Sequence, residues 1–430
     1  MSETPPAWIK EKLNAYRQEM GLDPIDNPSY GYWAPVARKV SAGKYRMYYS
    51  IVITNYIKTG KPEIENNGNF DGSWTERAFI GLMETSDPAS NIWEDKGYVV
   101  CSASDKGMTD YGRSSTGDWN AYFKINAIDP AYIITTNNEH WLIYGSWHSG
   151  IAALQLNPED GKPLNALGKP WNITGDDNSG YGKIIAIRGN SRWQASEGPE
   201  VIYRDGYYYL FLAYGQLDVE YNTRVCRSAN IYGPYVDINE SSAMGSSELY
   251  PILTAPYKFN NSYGWVGISH CGIFDDGKGN WFYTSQGRFP KNVGGNEYSN
   301  AIMMGHVRSI RWDANGWPLV MPERYGAVPQ VPITEAEIAG DWEHLALTTN
   351  TGNQRTSETM TYDLSTHKIT SSSWNNVTWT FNEEAQTITT SSGVVLYLQR
   401  EVDWEATPRT HTIVYAAQGN KKTYWGKKIQ

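Results

Sequence analysis

The chain has 430 residues, enough for two or three domains or for one large β-domain with a small companion. It carries 37 Lys and Arg against 46 Asp and Glu, a net charge of −9 with no long basic run, which argues against a nucleic-acid or anionic-membrane partner. No apolar run approaches the roughly 20 residues of a membrane helix, and the three cysteines, Cys101, Cys226 and Cys271, suggest neither a disulfide framework nor a zinc site.

Met1-Ser-Glu-Thr-Pro-Pro-Ala-Trp-Ile lacks the basic and apolar regions of a secretory signal. Aromatic residues are biased to 18 Trp and 31 Tyr against 9 Phe. Flat rings with a polar edge suit sugars, whose apolar C–H faces are ringed by hydroxyls. Strands are rich in aromatics too, so the bias alone leaves both readings open.

In chain order, Ile9 to Met20 reads as a helix, with Leu13, Tyr16 and Met20 at helical spacing. Four segments then share one plan: a strand near Pro or Gly, a turn, and an aromatic-rich return. They open at Tyr32-Trp-Ala-Pro, Ala127-Ile-Asp-Pro, Ser196-Glu-Gly-Pro and Ser269-His-Cys-Gly. They return through Gly43-Lys-Tyr-Arg-Met-Tyr-Tyr, His140-Trp-Leu-Ile-Tyr, Gly206-Tyr-Tyr-Tyr-Leu-Phe and Gly279-Asn-Trp-Phe-Tyr. A third strand follows each hairpin, at Ala78 to Glu84, Gly150 to Leu156, Arg224 to Arg227 and Ala301 to Trp312.

From Pro35 to Pro130, Pro199 and Cys271 the steps are 95, 69 and 72 residues. Repeats of this size predict an all-β fold of the β-propeller type, with four blades countable. Pro329 and Pro332 mark a boundary, after which short alternating strands rich in Thr and Ser run to Gln430. The expected division is a propeller over 1–328 and a small C-terminal β-barrel or sandwich over 329–430.

Inverting glycoside hydrolysis needs an acid and a base, both carboxyl groups, about 6.5–9.5 Å apart. The inner strands of successive propeller blades converge, so carboxylates one blade apart in sequence can meet. Asp129 precedes Pro130 and Glu197 lies two before Pro199, each among small or apolar neighbours whose burial would raise a carboxyl pKa. Either alone reads as turn chemistry, but similar placement in two repeats favours a catalytic role. Glu200 is assigned to the opposite strand face or to a salt bridge. His270 opens the fourth blade and fits either a metal ligand or a buried structural histidine. Trp33, Trp147, His148, Tyr214 and Arg288 are candidates for sugar platforms and hydroxyl contacts. The insertions Asn55 to Glu76 and Gly175 to Arg192 are candidates for the walls of a cleft or pocket.

At Trp33-Ala-Pro, Ile128-Asp-Pro, Gly145-Ser-Trp-His-Ser-Gly-Ile, Glu197-Gly-Pro, Gly233-Pro-Tyr, Ser269-His, His306-Val-Arg and Gly316-Trp-Pro, the chain resembles glycoside hydrolase family 43. The last motifs, with Pro322-Glu-Arg-Tyr, look most like its endo-acting 1,5-α-L-arabinanase branch, and residues 331–430 look like the barrel appended to bacterial extracellular members. The resemblance implies a five-bladed propeller, an arabinan-type plant polysaccharide as partner, and secretion or display at a bacterial surface. It implies Glu197 as general acid, Asp129 as the residue that tunes the acid and orients the sugar, and His270 as the axial histidine that helps hold calcium with waters.

One element departs from the pattern. The family's base is an Asp on the opening strand of a first blade, which should precede Trp33 by most of a blade. Asp23-Pro24 has the letters but lies ten residues from Trp33 and reads as loop. A missing first blade predicts impaired activity, exposed strand edges prone to self-association, and partial patching of the gap by Met1 to Met20. A non-catalytic sugar-binding propeller and an exo-acting arabinofuranosidase or xylosidase are the alternatives.

Overall fold

The structure, a computed structural model, describes residues 5–21, 23–28, 30–53, 78–108, 123–174, 179–189, 196–259 and 262–429. The insertion Asn55 to Glu76 lies outside them, as do residues 175–178 and 190–192 of the second insertion. Two compact units make up the chain. The first is Met1–Leu210 with Arg227–Val236 and Ser241–Glu248; the second is Phe211–Cys226 with Asp237–Glu240 and Leu249–Gln430.

The expected helix is α1, Ala7–Glu19, which buries Ile9, Leu13 and Tyr16 at its i, i+4, i+7 positions. Blade one is an antiparallel meander of β1 (Tyr30–Ser41), β2 (Lys44–Ile53), β3 (Phe79–Thr85) and β4 (Glu94–Cys101). Gly43, at φ +68°, makes its first tight turn. The apolar face of α1 joins the core of this blade, with Ile9 and Leu13 clustered with Ile51, Phe79 and Val99. Trp8 meets Phe79 and Tyr98 edge-on, and the Tyr16 and Tyr98 hydroxyls lie 3.1 Å apart. Helix α1 thus packs against β3 and β4 of this blade.

Blade two is β5 (Ala131–Ile134), β6 (His140–Tyr144), β7 (Ile151–Leu156) and β8 (Lys183–Ala186). Blade three is β9 (Ser196–Arg204), β10 (Tyr207–Tyr214), β11 (Asn222–Ser228) and β12 (Ile252–Thr254). The left-handed pair Asp205-Gly206 joins β9 to β10, as a two-residue hairpin with right-handed strand twist requires. A two-residue strand, β13 (Tyr257–Lys258), pairs in parallel with Arg355–Thr356. Blade four is β14 (Gly272–Asp275), β15 (Trp281–Arg288), β16 (Met303–Trp312) and β17 (Pro318–Val320). Among the described residues there are therefore four propeller-type blades, the number counted from the sequence.

After blade four, eight antiparallel strands close into a barrel. Closure is made by Gly340–Leu347, which pairs on one side with Glu358–Asp363 and on the other with Lys422–Lys428. Full closure leaves no unpaired edge. The barrel's interior holds Trp342, Met360, Tyr362, Trp379, Leu396 and Tyr415. Its outer residues Leu345, Val414 and Trp425 share a second core with Ile252, Trp265, Leu319 and Met321. The three cysteines are buried and free, and no described helix is long and apolar enough to cross a membrane.

Candidate active site

Each blade opens on a residue in the left-handed region. These are Ala34 (φ +44°), Asp129 (+58°), Gly198 (+56°) and His270 (+56°), each directly before Pro35, Pro130, Pro199 or Cys271. In β1 the pairing with β2 slips between Trp33 and Val36, a bulge at this point. The repeat therefore has a structural register, and it corrects the expected equivalence of the two carboxylates. Asp129 corresponds to Gly198, while Glu197 stands one residue earlier.

That one-residue offset brings the two together. Gly198 lacks a side chain and donates its amide to Asp129 Oδ2 at 3.1 Å, while the Asp129 amide donates to Ser50 Oγ at 3.1 Å. Glu197 Oε2 accepts from Ser146 Oγ at 2.8 Å, which fixes the carboxyl's orientation. Asn126 supports the same corner: it accepts from Ser102 Oγ at 2.7 Å and donates to the Ser146 carbonyl at 3.3 Å. Trp147 and Ser149 also have positive φ, and the Trp147 amide donates to the Ser196 carbonyl at 3.0 Å. Non-glycine left-handed residues cost on the order of 1 kcal/mol or more each, and such strain clusters at functional sites. Asp129 and Glu197 are both buried, at 5% and 9% exposure. Sequence reasoning missed Ser50, Asn126 and Ser146; Ser146 was within reach, because it lies in the Gly145-Ser-Trp-His motif.

Glu200 makes the salt bridge that its position suggested, with Arg38 Nη2 3.0 Å from its Oε1. Burial pushes its pKa up, and the Arg38 guanidinium opposes that shift. Trp33 is 52% exposed. His148 is buried with its ring edge-on to Phe123. Asp23 is exposed, on the coil between α1 and β1.

In the second unit, Tyr214 is buried, its carbonyl accepts from Asn222, and the Arg224 guanidinium lies 5.3 Å over its ring. Arg288 is buried at 8% exposure, and its Nη1 donates to the Asn300 carbonyl at 2.8 Å. His270 is exposed, with Nδ1 3.3 Å from the Tyr221 hydroxyl. It belongs to no group of three or more His, Cys, Asp or Glu ligands among the described residues; the one such group is Glu323, Asp403 and Glu405. A single imidazole nitrogen is a poor match for calcium, which takes six to eight oxygens. The side chains around His270 therefore do not build a calcium site on their own.

Four-stranded blades with a buried carboxylate pair at neighbouring openings, followed by a closed barrel, define a propeller-type protein with an appended barrel. Residues 10–318 match the model of glycosyl hydrolases family 43, and residues 322–426 match its C-terminal lipocalin-like domain, so the chain belongs to that family. It is 28% identical over 333 residues to the extracellular endo-α-(1→5)-L-arabinanase of Thermotoga petrophila, covering 73% of this chain and 61% of that protein. Against extracellular endo-α-(1→5)-L-arabinanase 2 of Bacillus subtilis it is 28% identical over 334 residues, covering 72% and 61%. The chain thus spans about 61% of the length of these curated relatives. The crystal structure of the Thermotoga petrophila endo-1,5-α-L-arabinanase shares its fold, with a TM-score of 0.70 at 23% identity, over 98% of this chain and 88% of the other. The family 43 YxiA protein of Bacillus licheniformis gives a TM-score of 0.71 at 23% identity, over 93% and 84%.

Proposed function

We propose that this chain binds α-1,5-linked L-arabinan and hydrolyses it with inversion, with Glu197 as the acid that protonates the leaving oxygen and Asp129 as the carboxylate that orients the sugar beside it. The observation that carries this reading is the Asp129–Gly198 hydrogen bond, which places one blade's carboxylate against the residue next to the other's. The arabinanase names of its relatives support the substrate, and their extracellular naming supports secretion. The sequence assigns no base, and Asp23 is exposed on a coil. Loss of a general base costs about 10²–10⁴-fold in rate, so the rate of release itself tests whether one is present.

The test is reducing-sugar release from linear 1,5-α-L-arabinan by this chain and by Glu197→Gln. Slow release that vanishes in the variant supports the assignment; equal release by both removes Glu197 from the mechanism. Arabinan binding without any release favours a sugar-binding propeller. Product sizes separate endo from exo action.

Two smaller parts belong to the same proposal. Calcium near His270 would be held through waters, and an unchanged melting temperature between added calcium and EGTA would remove it. Self-association would use an exposed strand edge of the propeller blades. A concentration-independent monomer in sedimentation velocity would exclude it.

A further inference from the structure

In the second unit five planar groups stack one upon the next. The Arg409 guanidinium lies 4.8 Å over the Trp404 ring, and that of Arg324 lies 4.8 Å over the same ring. Arg324 is also 5.1 Å from the Trp265 ring, and Trp265 stacks on Phe289 with 4.9 Å between centroids and 16° between planes. Trp404 Nε1 donates to the Arg324 carbonyl at 2.7 Å, which fixes two of these groups together. Buried His306 meets Trp265 edge-on at 4.3 Å. Trp404 and Arg409 come from the barrel, between its strands Val395–Asp403 and Thr410–Gly419. Trp265 and Phe289 are the immediate neighbours of Val266 and Arg288.

Val266 and Arg288 pair through both backbone hydrogen bonds, each 2.9 Å. The stem of Arg288 packs on Gly267, where an added Cβ would lie 3.0 Å from Arg288 Cδ and 2.6 Å from the Leu217 carbonyl oxygen. The guanidinium is buried, gives one hydrogen bond to Asn300, and keeps an Nε–H without a partner among the described residues. A buried guanidinium has five N–H donors to satisfy; its Nε–H is sealed from solvent, so a sugar hydroxyl would accept from the terminal Nη groups.

We propose that the barrel segment carrying Trp404 and Arg409 is a positioning element for Arg288. It clamps Arg324, and through it the Trp265–Phe289 stack whose neighbours hold Arg288 in place for an arabinan hydroxyl. This rests on the reading of the chain as an arabinan-binding hydrolase. In that case the barrel does more than add stability: part of the binding strength of the blades depends on two of its side chains. Removing the Trp404 ring deletes two cation–π contacts, on the order of a tenfold change in the equilibrium they support.

The test uses the full chain, titrated calorimetrically with a linear 1,5-linked arabino-oligosaccharide. Trp404→Leu keeps apolar bulk and loses the π face; it is expected to weaken binding about tenfold. Trp404→Phe keeps a π face but loses the Nε1 hydrogen bond to Arg324, and is expected to fall between the parent and Trp404→Leu. In an Arg288→Lys background, Trp404→Leu is expected to have little further effect, because the group it positions has already been replaced. An undiminished loss in that background, or no loss at all, overturns the proposal. A second readout does not depend on the sugar. Amide exchange at Val266 and Arg288 is expected to quicken in Trp404→Leu while that of the barrel strand Gly340–Leu347 holds; unchanged exchange at both amides also overturns it. If the unaltered chain fails to bind the oligosaccharide, the arabinan reading falls and exchange alone decides whether the stack positions Arg288.

Discussion

Lys427 is the perturbation with the largest expected effect on stability. Its side chain is 3% exposed, and its ammonium faces four carboxylates: Glu405 at 2.7 Å, Asp403 at 2.9 Å, Glu323 at 3.2 Å and Glu343 at 3.8 Å. It occupies the place a metal ion would take among Glu323, Asp403 and Glu405. Lys427→Met keeps the stem and removes the charge, leaving buried carboxylates without their cation. Breaking such a group typically costs about 3–5 kcal/mol. For a unit of roughly 200 residues, each kcal/mol shifts the melting temperature by about 2–4 °C, so a fall of about 6–20 °C is expected at pH 8.

The pH dependence follows from Glu323. Burial, and then the neighbouring Glu405 charge, hold its pKa well above the ordinary carboxyl range, with Lys427 pulling the other way. A carboxyl whose pKa is raised by folding leaves stability intact below its unfolded value, about 4.3, and removes it as pH climbs through the folded value. Without Lys427 the folded value rises further. The deficit of the variant should therefore shrink toward pH 5 and widen toward pH 8. Glu323→Gln imitates the protonated form and should be neutral near pH 5 and stabilising at pH 8. Scanning calorimetry across this range decides the matter: a Lys427→Met transition within about 2 °C of the parent at pH 8 would refute the reasoning.

Leu13→Ala, on the buried face of α1 at 2% exposure, should cost about 2–5 kcal/mol in urea unfolding followed in the first unit; a loss below about 1 kcal/mol would make the helix peripheral to blade one. Asp129→Gly relieves a left-handed strain of about 1 kcal/mol but removes the carboxylate that accepts from Gly198, a charged acceptor worth about 1.5–3 kcal/mol. A modest fall in melting temperature is therefore expected while any arabinan hydrolysis is lost; an unchanged melt would show that the carboxylate adds nothing to the fold. Ala34→Gly relieves the same strain without touching a carboxylate and should leave hydrolysis unchanged; a drop in rate would place the Trp33 turn in the reaction.

The blades were legible because each repeats a physical unit: an alternating strand, a Gly or Asn turn, and an aromatic return. Two of the fourth strands were not, since Ile252–Thr254 and Pro318–Val320 are three residues long and lie beyond irregular connections. Glu200 was legible as a salt-bridge residue because residues three apart in a strand face opposite ways. The offset between Asp129 and Glu197 was written in their distances to Pro130 and Pro199, but its structural cause was not. Backbone φ is not written in residue type, and Ala, Asp, Gly and His share one conformation at the four openings. The stack from Arg409 to Phe289 was invisible because its members come from separate segments, and no local pattern announces that Arg324 will lie between Trp404 and Trp265.

The four blade openings also say where the chemistry can be varied. Because the same left-handed turn recurs under four unlike side chains, the sheet geometry imposes it. Only Gly198 adopts it without strain; Ala34, Asp129 and His270 each retain on the order of 1 kcal/mol of it. A fold selected for stability alone would tend toward glycine at all four positions. Asp129 and His270 instead carry side chains with proton or ligand chemistry, and Gly198 is bare at the one opening where another blade's carboxylate needs its amide. The backbone thus supplies equivalent positions that differ in the group each presents, with a carboxylate in blade two, a backbone amide donor to that carboxylate in blade three and an imidazole in blade four. Ala34, which has neither chemistry nor glycine's freedom, is the position where relief of strain should carry no functional cost.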